Sequence, residues 1–198
     1  MQNWWIYPAS YLVGAIPFGV LVARAHGVDI LNTGSGNPGA TNIYRTIGPA
    51  SGIVVFILDA LKGALPAFGT TMLTGNQTYA FLAGMCAIIG HTFSPFIKFK
   101  GGKGIATGFG AVLGTQWVIA LTALSCFIIM TLLTRFVSVG SITAAIVLPV
   151  LGLLFHVDTS VLIAFSLMSI LILFKHRENV KRLLNGTENR FSFKSKST

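Results

Sequence analysis

Charge is what this sequence has least of. Only 10% of its 198 residues are charged, while 53% are hydrophobic, against roughly 25% charged in a typical soluble domain. That deficit excludes an ordinary water-soluble fold and points to lipid. Cysteine is also scarce: Cys86 and Cys126 are the two, both inside apolar runs where a thiol serves as a small packing residue, so neither a disulfide framework nor a metal site is expected. No acid stands five residues after His26, His91, His156 or His176, which excludes a local H-x4-D acyltransfer dyad. No G-x-S-x-G elbow occurs either. The Walker pattern fails because Gly104, and not Ser or Thr, follows Lys103. GSGNPG at 34–39 matches the letters of the dinucleotide fingerprint, but it follows an apolar membrane run where that motif needs a strand.

What is present is a series of long apolar runs. A membrane helix needs about 20 mostly apolar residues, and seven candidates stand at 4–24, 52–73, 79–97, 105–115, 117–134, 138–155 and 159–174. The TQW at 115–117 separates the short fourth run from the fifth. Cytoplasmic loops collect Lys and Arg. With the N-terminus outside, 13 of the 14 basic residues fall on the cytoplasmic side, leaving Lys62 within a span. The external turns at 74–78, 115–117 and 156–158 carry no Lys or Arg. Merging runs four and five would put Arg135 and the C-terminus outside. The expected fold is therefore an all-α integral membrane protein, one domain over 1–198, with seven transmembrane helices, the N-terminus outside and the C-terminus cytoplasmic, and re-entrant or short helical cytoplasmic loops.

The net charge of +9 is accounted for by basic residues beside an anionic inner leaflet, so no nucleic-acid partner is expected. VARAH at 22–26 contains an A-x-A, but its Arg24 follows the apolar run instead of preceding it, unlike a secretory signal; 4–24 is read as a retained span. Trp4, Trp5 and Trp117 suit an aromatic belt at the outer edge.

The polar chemistry lies in the cytoplasmic segments 27–50, 98–104, 134–141 and 175–198. Glycines let the backbone approach an anion, and successive N–H groups form a nest for phosphate oxygens. In NTGSGNPGATN at 32–42, Ser35, Asn37, Thr41 and Asn42 can add side-chain donors, and Arg45 a planar fork. The alternative is a plain connector with Thr41 or Asn42 capping a helix. In KFKGGKGIATG at 98–108, Lys103 sits beside a helix N-terminus, where anions are favoured; Lys98 and Lys100 are assigned to topology. KHRENVKRLLNGTE at 175–188 reads as an extension of the last span ending near Asn185-Gly186. Ile172, His176, Asn179 and Leu183 share one face of it, and Glu178 can pair with Arg182. His91 is expected to donate a proton to a buried carbonyl. Asp59 and Lys62 lie on the order of 12–16 Å into the membrane at i, i+3 and should pair with each other, as a structural ion pair or as a pocket wall.

GSGNPGATN, KGGKG and HRENVKRLLNGTE occur together and in order. With LDALKG at 58–63, the GH at 90–91 and SVGSIT at 138–143, the chain resembles, over nearly its whole length, the bacterial acyl-phosphate:glycerol-3-phosphate acyltransferase family, known as PlsY. The resemblance implies a seven-span enzyme of the bacterial plasma (inner) membrane with its site facing the cytoplasm. Such an enzyme moves a fatty acyl group from acyl phosphate to the 1-position of glycerol 3-phosphate, giving lysophosphatidate and inorganic phosphate, the first acylation of bacterial phospholipid synthesis. It implies catalytic roles for Lys103, His176 and Arg45. Substrate or phosphate binding is implied for Ser35, Gly36, Asn37, Thr41, Asn42, Gly102, Ser141 and Asn179. The implied partners are acyl phosphate, glycerol 3-phosphate and membrane lipids, and no cofactor is expected.

Acyl phosphate is an activated mixed anhydride, so a covalent acyl-enzyme is unnecessary. The base that takes the glycerol hydroxyl proton is either His176 or a phosphate oxygen of the substrate. The rivals, a transporter for a phosphorylated metabolite and a membrane scaffold, fit less well. The external turns are too short and plain for a second access route, and a scaffold leaves the three motifs without purpose.

Overall fold

The structure, a computed structural model, describes residues 3–191. All regular structure among them is helical: α1 Ile6–Ala15, α2 Phe18–Ala25, α3 Ala40–Thr46, α4 Pro49–Thr74, α5 Gln77–Thr92, a 3-10 turn Pro95–Ile97, α6 Ile105–Leu113, α7 Trp117–Thr134, α8 Val137–Leu154, α9 Thr159–Lys175 and α10 Arg177–Leu184. The chain divides after Thr115 into two compact units.

In the first unit, α1 and α2 run on as one 20-residue apolar stretch, Ile6–Ala25, interrupted at Ile16-Pro17 because proline has no N–H to continue the ladder. In lipid no water can satisfy the carbonyls that such a break exposes, and side chains do so instead. Ser94 Oγ donates to the Ala15 carbonyl at 2.6 Å, and Lys62 Nζ to the Ile16 carbonyl at 2.8 Å. α4, 26 residues long, starts with Pro49 and ends on Gly75 at φ +62°. Asn76 caps α5 by accepting the Tyr79 N–H at 3.1 Å. Helices in this unit meet through glycine. A Cβ at Gly63 would collide with the Thr107 carbonyl and one at Gly110 with that of Ala60, so α4 and α6 touch backbone to backbone; Gly14 and Gly90 do the same for α1 and α5. Close approach at small residues is how helices associate without a hydrophobic driving force.

In the second unit, Gly140 brings α8 against Phe127 and Thr131 of α7, and Ser169 Oγ of α9 donates to the Ala145 carbonyl of α8 at 2.6 Å. Trp4, Trp5 and Trp117 are all exposed, and both cysteines are unpaired and half-buried.

The fourth run is shorter than the other spans, and one expectation about the tail changes. The fourth apolar run forms a helix of nine residues, about 14 Å long at 1.5 Å per residue, less than half of a hydrocarbon core of about 30 Å. By length and apolarity, five helices among the described residues can cross a membrane, or six if the bent pair α9–α10 counts as one. The glycines that shape α6 fit it to α4 and do not lengthen it. The polar tail helix, in turn, is no straight extension of α9: the two meet at His176 with a 51° bend.

Candidate active site

The loop before α3 is built around its own polar side chains. Asp29 Oδ1 accepts the Leu31 N–H at 3.2 Å, its Oδ2 accepts Asn32 Nδ2 at 2.7 Å, and its carbonyl accepts Thr33 Oγ1 at 2.7 Å. Asn42, buried in the first turn of α3, reaches back into the loop. Its Nδ2 donates to the Thr33 carbonyl and its Oδ1 accepts the Ser35 N–H, both at 3.0 Å. Asn37 Oδ1 accepts the Gly39 N–H at 2.8 Å. The chain can close this tightly because Gly34 and Gly36 stand at φ +64° and +66°, where a side chain is strained; a Cβ at Gly34 would also collide with Asn42 Oδ1.

This geometry corrects the sequence reading twice. Gly39, and not Thr41 or Asn42, occupies the N-cap of α3, because Asn42 serves the loop. The expected nest of successive amides is largely spent as well: the N–H groups of Ser35 and Gly39 go to asparagine side chains, and that of Gly36 goes to the Thr33 carbonyl at 3.1 Å. Of the side chains expected to donate here, Ser35 and Arg45 are exposed and Thr41 is half-buried.

The second loop leaves the 3-10 turn through Lys98 and Phe99 at φ +53° and +61°, and enters α6 through Gly104 at φ +83°. Gly101 and Gly102 are buried. The Gly102 N–H donates to the His91 carbonyl at 3.2 Å, so it too is committed within the protein. Half-buried Lys103 follows, two residues before the first turn of α6. Ile97, at the head of this loop, packs in one apolar cluster with Val20, Ala23, Ile30, Ile43 and Val55. Ile43 belongs to α3, so both loops are anchored on the same core at one end of the unit. Asp59 and Lys62 pair at 2.7 Å, as their spacing implied, and are 3% exposed at their side chains.

In the second unit Ser141 is buried near the start of α8. His176 sits at the α9–α10 bend, 3% exposed, with Nδ1 2.8 Å from the Ile172 carbonyl. A carbonyl can only accept, so Nδ1 carries the proton and the basic lone pair of the neutral ring lies on Nε2. Asn179 is buried on the same face, and its Nδ2 donates to Glu188 Oε1 at 2.8 Å.

Glu188 is the residue that sequence reasoning missed. Gly186 at φ +68° turns the chain back after α10, and the Glu188 side chain, 4% exposed, takes Arg182 Nε on Oε2 at 2.7 Å. Burial pushes its carboxyl pKa up, but the hydrogen bonds from Asn179 and Arg182, the nearby Ser138 hydroxyl and the Arg182 charge outweigh burial and hold it below the usual value. Ser138 Oγ is near enough to contribute without meeting full hydrogen-bond geometry. The expected Glu178–Arg182 pair does not form. Arg182 turns inward to Glu188, and exposed Glu178 pairs instead with Lys181 at 3.2 Å and Arg177 at 3.7 Å.

The sequence profile of a family described as glycerol-3-phosphate acyltransferase matches residues 4–186. A glycerol-3-phosphate acyltransferase of Geotalea daltonii is 43% identical over 92% of this chain and 94% of its own length. Glycerol-3-phosphate acyltransferase 2 of Thermotoga maritima is 40% identical over 96% and 97%. Two solved structures of PlsY, an integral membrane glycerol 3-phosphate acyltransferase, are similar to this one at 38% identity, covering 95% of this chain and 94% of theirs. The TM-score is 0.92 for the glycerol 3-phosphate form and 0.90 for the lysophosphatidic acid form.

Proposed function

Since the chain belongs to the glycerol-3-phosphate acyltransferase family of integral membrane enzymes, we propose that it transfers a fatty acyl group from acyl phosphate to the sn-1 hydroxyl of glycerol 3-phosphate, releasing lysophosphatidic acid and inorganic phosphate. The observation that carries this reading is the similarity, over nearly the full chain, to structures in a glycerol 3-phosphate form and a lysophosphatidic acid form, an acceptor and a product that differ by one acyl group. The donor rests on the resemblance of the three motifs to that family. Acyl phosphate is an activated mixed anhydride, so its use needs no covalent acyl-enzyme, and the chain offers neither a loop cysteine nor a serine elbow to form one.

The hydroxyl oxygen attacks the acyl carbonyl, the bond from carbonyl carbon to phosphate oxygen breaks, and phosphate departs with that electron pair. The hydroxyl proton passes to His176 Nε2 or to a phosphate oxygen. Lys103 and Arg45 stabilise the negative charge that builds on the carbonyl and the leaving phosphate. Ser35, Thr41, Ser141 and Asn179 orient the anionic groups, while Gly36, Asn37, Asn42 and Gly102 fix the backbone around them. Orientation supplies much of the remaining rate.

We also propose that the N-terminus is external and that the loops face the cytoplasm of the bacterial plasma membrane, on the strength of the basic residues gathered on that side. Purified protein given acyl phosphate and glycerol 3-phosphate should release phosphate and form lysophosphatidic acid in equal amounts, and acyl-CoA should not replace the donor. Equal rates with acyl-CoA in a phosphate-free assay would overturn the donor assignment.

A further inference from the structure

The KGGKG loop is seated on one histidine. His91 closes α5 with 8% of its surface exposed, and it meets the two central glycines with two different parts of itself. A Cβ at Gly101 would collide with the His91 carbonyl oxygen, and a Cβ at Gly102 would collide with the imidazole at Nε2 and Cε1. The same carbonyl accepts the Gly102 N–H at 3.2 Å. Behind the ring, Asp59 Oδ1 lies 3.7 Å from Nδ1 and 2.7 Å from Lys62 Nζ. Lys62 in turn donates to the Ile16 carbonyl at the break in the first span and sits 5.5 Å from the centre of the Phe18 ring. A buried ion pair contributes little to stability by itself, and ionisable groups at membrane depth are expensive. This one ties the helix break on one side to the ring beneath the glycine loop on the other.

We infer that His91 is a positioning residue for acyl transfer. Its carbonyl and its imidazole, the latter backed by the Asp59–Lys62 pair, set the height of the Gly101-Gly102 backbone and so place Lys103 against the phosphate it serves. The inference rests on the reading of Lys103 as a phosphate-binding residue. His91 need not touch substrate, because the residue it seats stands directly before Lys103 in the chain, and a misplacement of about 1 Å at a reacting group can cost about 10²-fold in rate.

The two glycines supply a test of which part of His91 seats the loop. Gly102→Ala pushes against a side chain, and Gly101→Ala pushes against a main-chain oxygen that no substitution at 91 removes. In purified protein assayed for glycerol 3-phosphate acylation, His91→Ala should lower kcat/KM by about 10-fold and Gly102→Ala by about 10²-fold. Added to the His91→Ala background, Gly102→Ala should cost less than about 5-fold more, while Gly101→Ala should cost the same in both backgrounds to within about 3-fold. His91→Ser replaces His91→Ala if the latter does not accumulate, and if Gly101→Ala does not fold the Gly102 pair decides alone. Equal costs of Gly102→Ala with and without the ring overturn the inference, as does equal rescue at both glycines. Lys103→Ala, assayed beside them, reads the premise separately. Lost turnover there with no rescue at Gly102 overturns the role of His91 alone, whereas retained turnover overturns the reading on which it rests.

Discussion

The two glycine-rich loops of the first unit are anchored on the same apolar cluster and are held by opposite means. The loop before α3 carries its own scaffold: Asp29, Asn37 and Asn42 bond the backbone around them within nine residues of sequence. The KGGKG loop takes its shape from His91 on α5, by backbone bond and by ring contact. A self-braced loop should fail when its own amides are cut. A loop seated on a neighbour should fail when that neighbour is cut away. The lesson is that a glycine-rich loop need not form an open amide nest: here the amides of Gly36, Gly39 and Gly102 are used to hold the fold.

The sharpest break of this comparison falls at Lys103. Lys103→Ala should leave a folded, membrane-inserted protein and remove roughly 3–4 kcal/mol of transition-state stabilisation, a loss of about 10² to 10³ in turnover. Lys103→Arg should recover part of it, since a planar fork replaces a compact ammonium. Retention of more than about a third of wild-type kcat/KM in Lys103→Ala rejects the assignment.

Asn42 tests the self-braced loop. Asn42→Ala removes two part-buried hydrogen bonds worth about 1 kcal/mol each, so the detergent-solubilised protein should melt several degrees lower and its activity should fall roughly 10-fold as the loop loosens. Asn42→Asp keeps the acceptor for the Ser35 N–H and should fall between the two. An unchanged melting temperature in Asn42→Ala would show that the loop is held by something else.

A smaller effect, read against pH, is expected from Glu188. Its folded pKa lies below the ordinary value, so its stabilising contribution is fully present above the unfolded value of about 4.3 and disappears as pH falls through the folded one. The gap in melting temperature between wild type and Glu188→Gln should be constant above about pH 5 and shrink below roughly pH 4.3. A gap that widens on acidification contradicts the sign. The smallest effect should come from Lys98→Ala and Lys100→Ala, which should each keep turnover within about 3-fold of wild type, because their charges serve topology and the shape of the loop comes from His91. A loss at either as large as that of Lys103→Ala would mean that the loop binds anions along its whole length.

Much of this was legible in the sequence because it is local. Lipid demands apolar runs, an i, i+3 spacing puts Asp59 and Lys62 on one helix face, and the same rule gathered Ile172, His176 and Asn179, all of which are buried. The Glu178–Arg182 pair satisfied that rule and still failed, since a spacing states which partners are near and not which partner is better. Glu188, reached by a turn at Gly186, offers Arg182 a buried site that an exposed Glu178 cannot match.

By itself, then, the sequence determined an all-helical membrane protein, its order of motifs and the polar side chains its loops carry, because helix period, apolar length and donor chemistry are properties of short segments. Only the tertiary structure decided that the fourth run stops at nine residues, that Lys62 reaches back 46 residues to the broken first span, and that His91 lies under Gly102. Those contacts join residues far apart along the chain through close backbone approach. Whether two helices come within reach of each other depends on every glycine along their shared face, which no local pattern records.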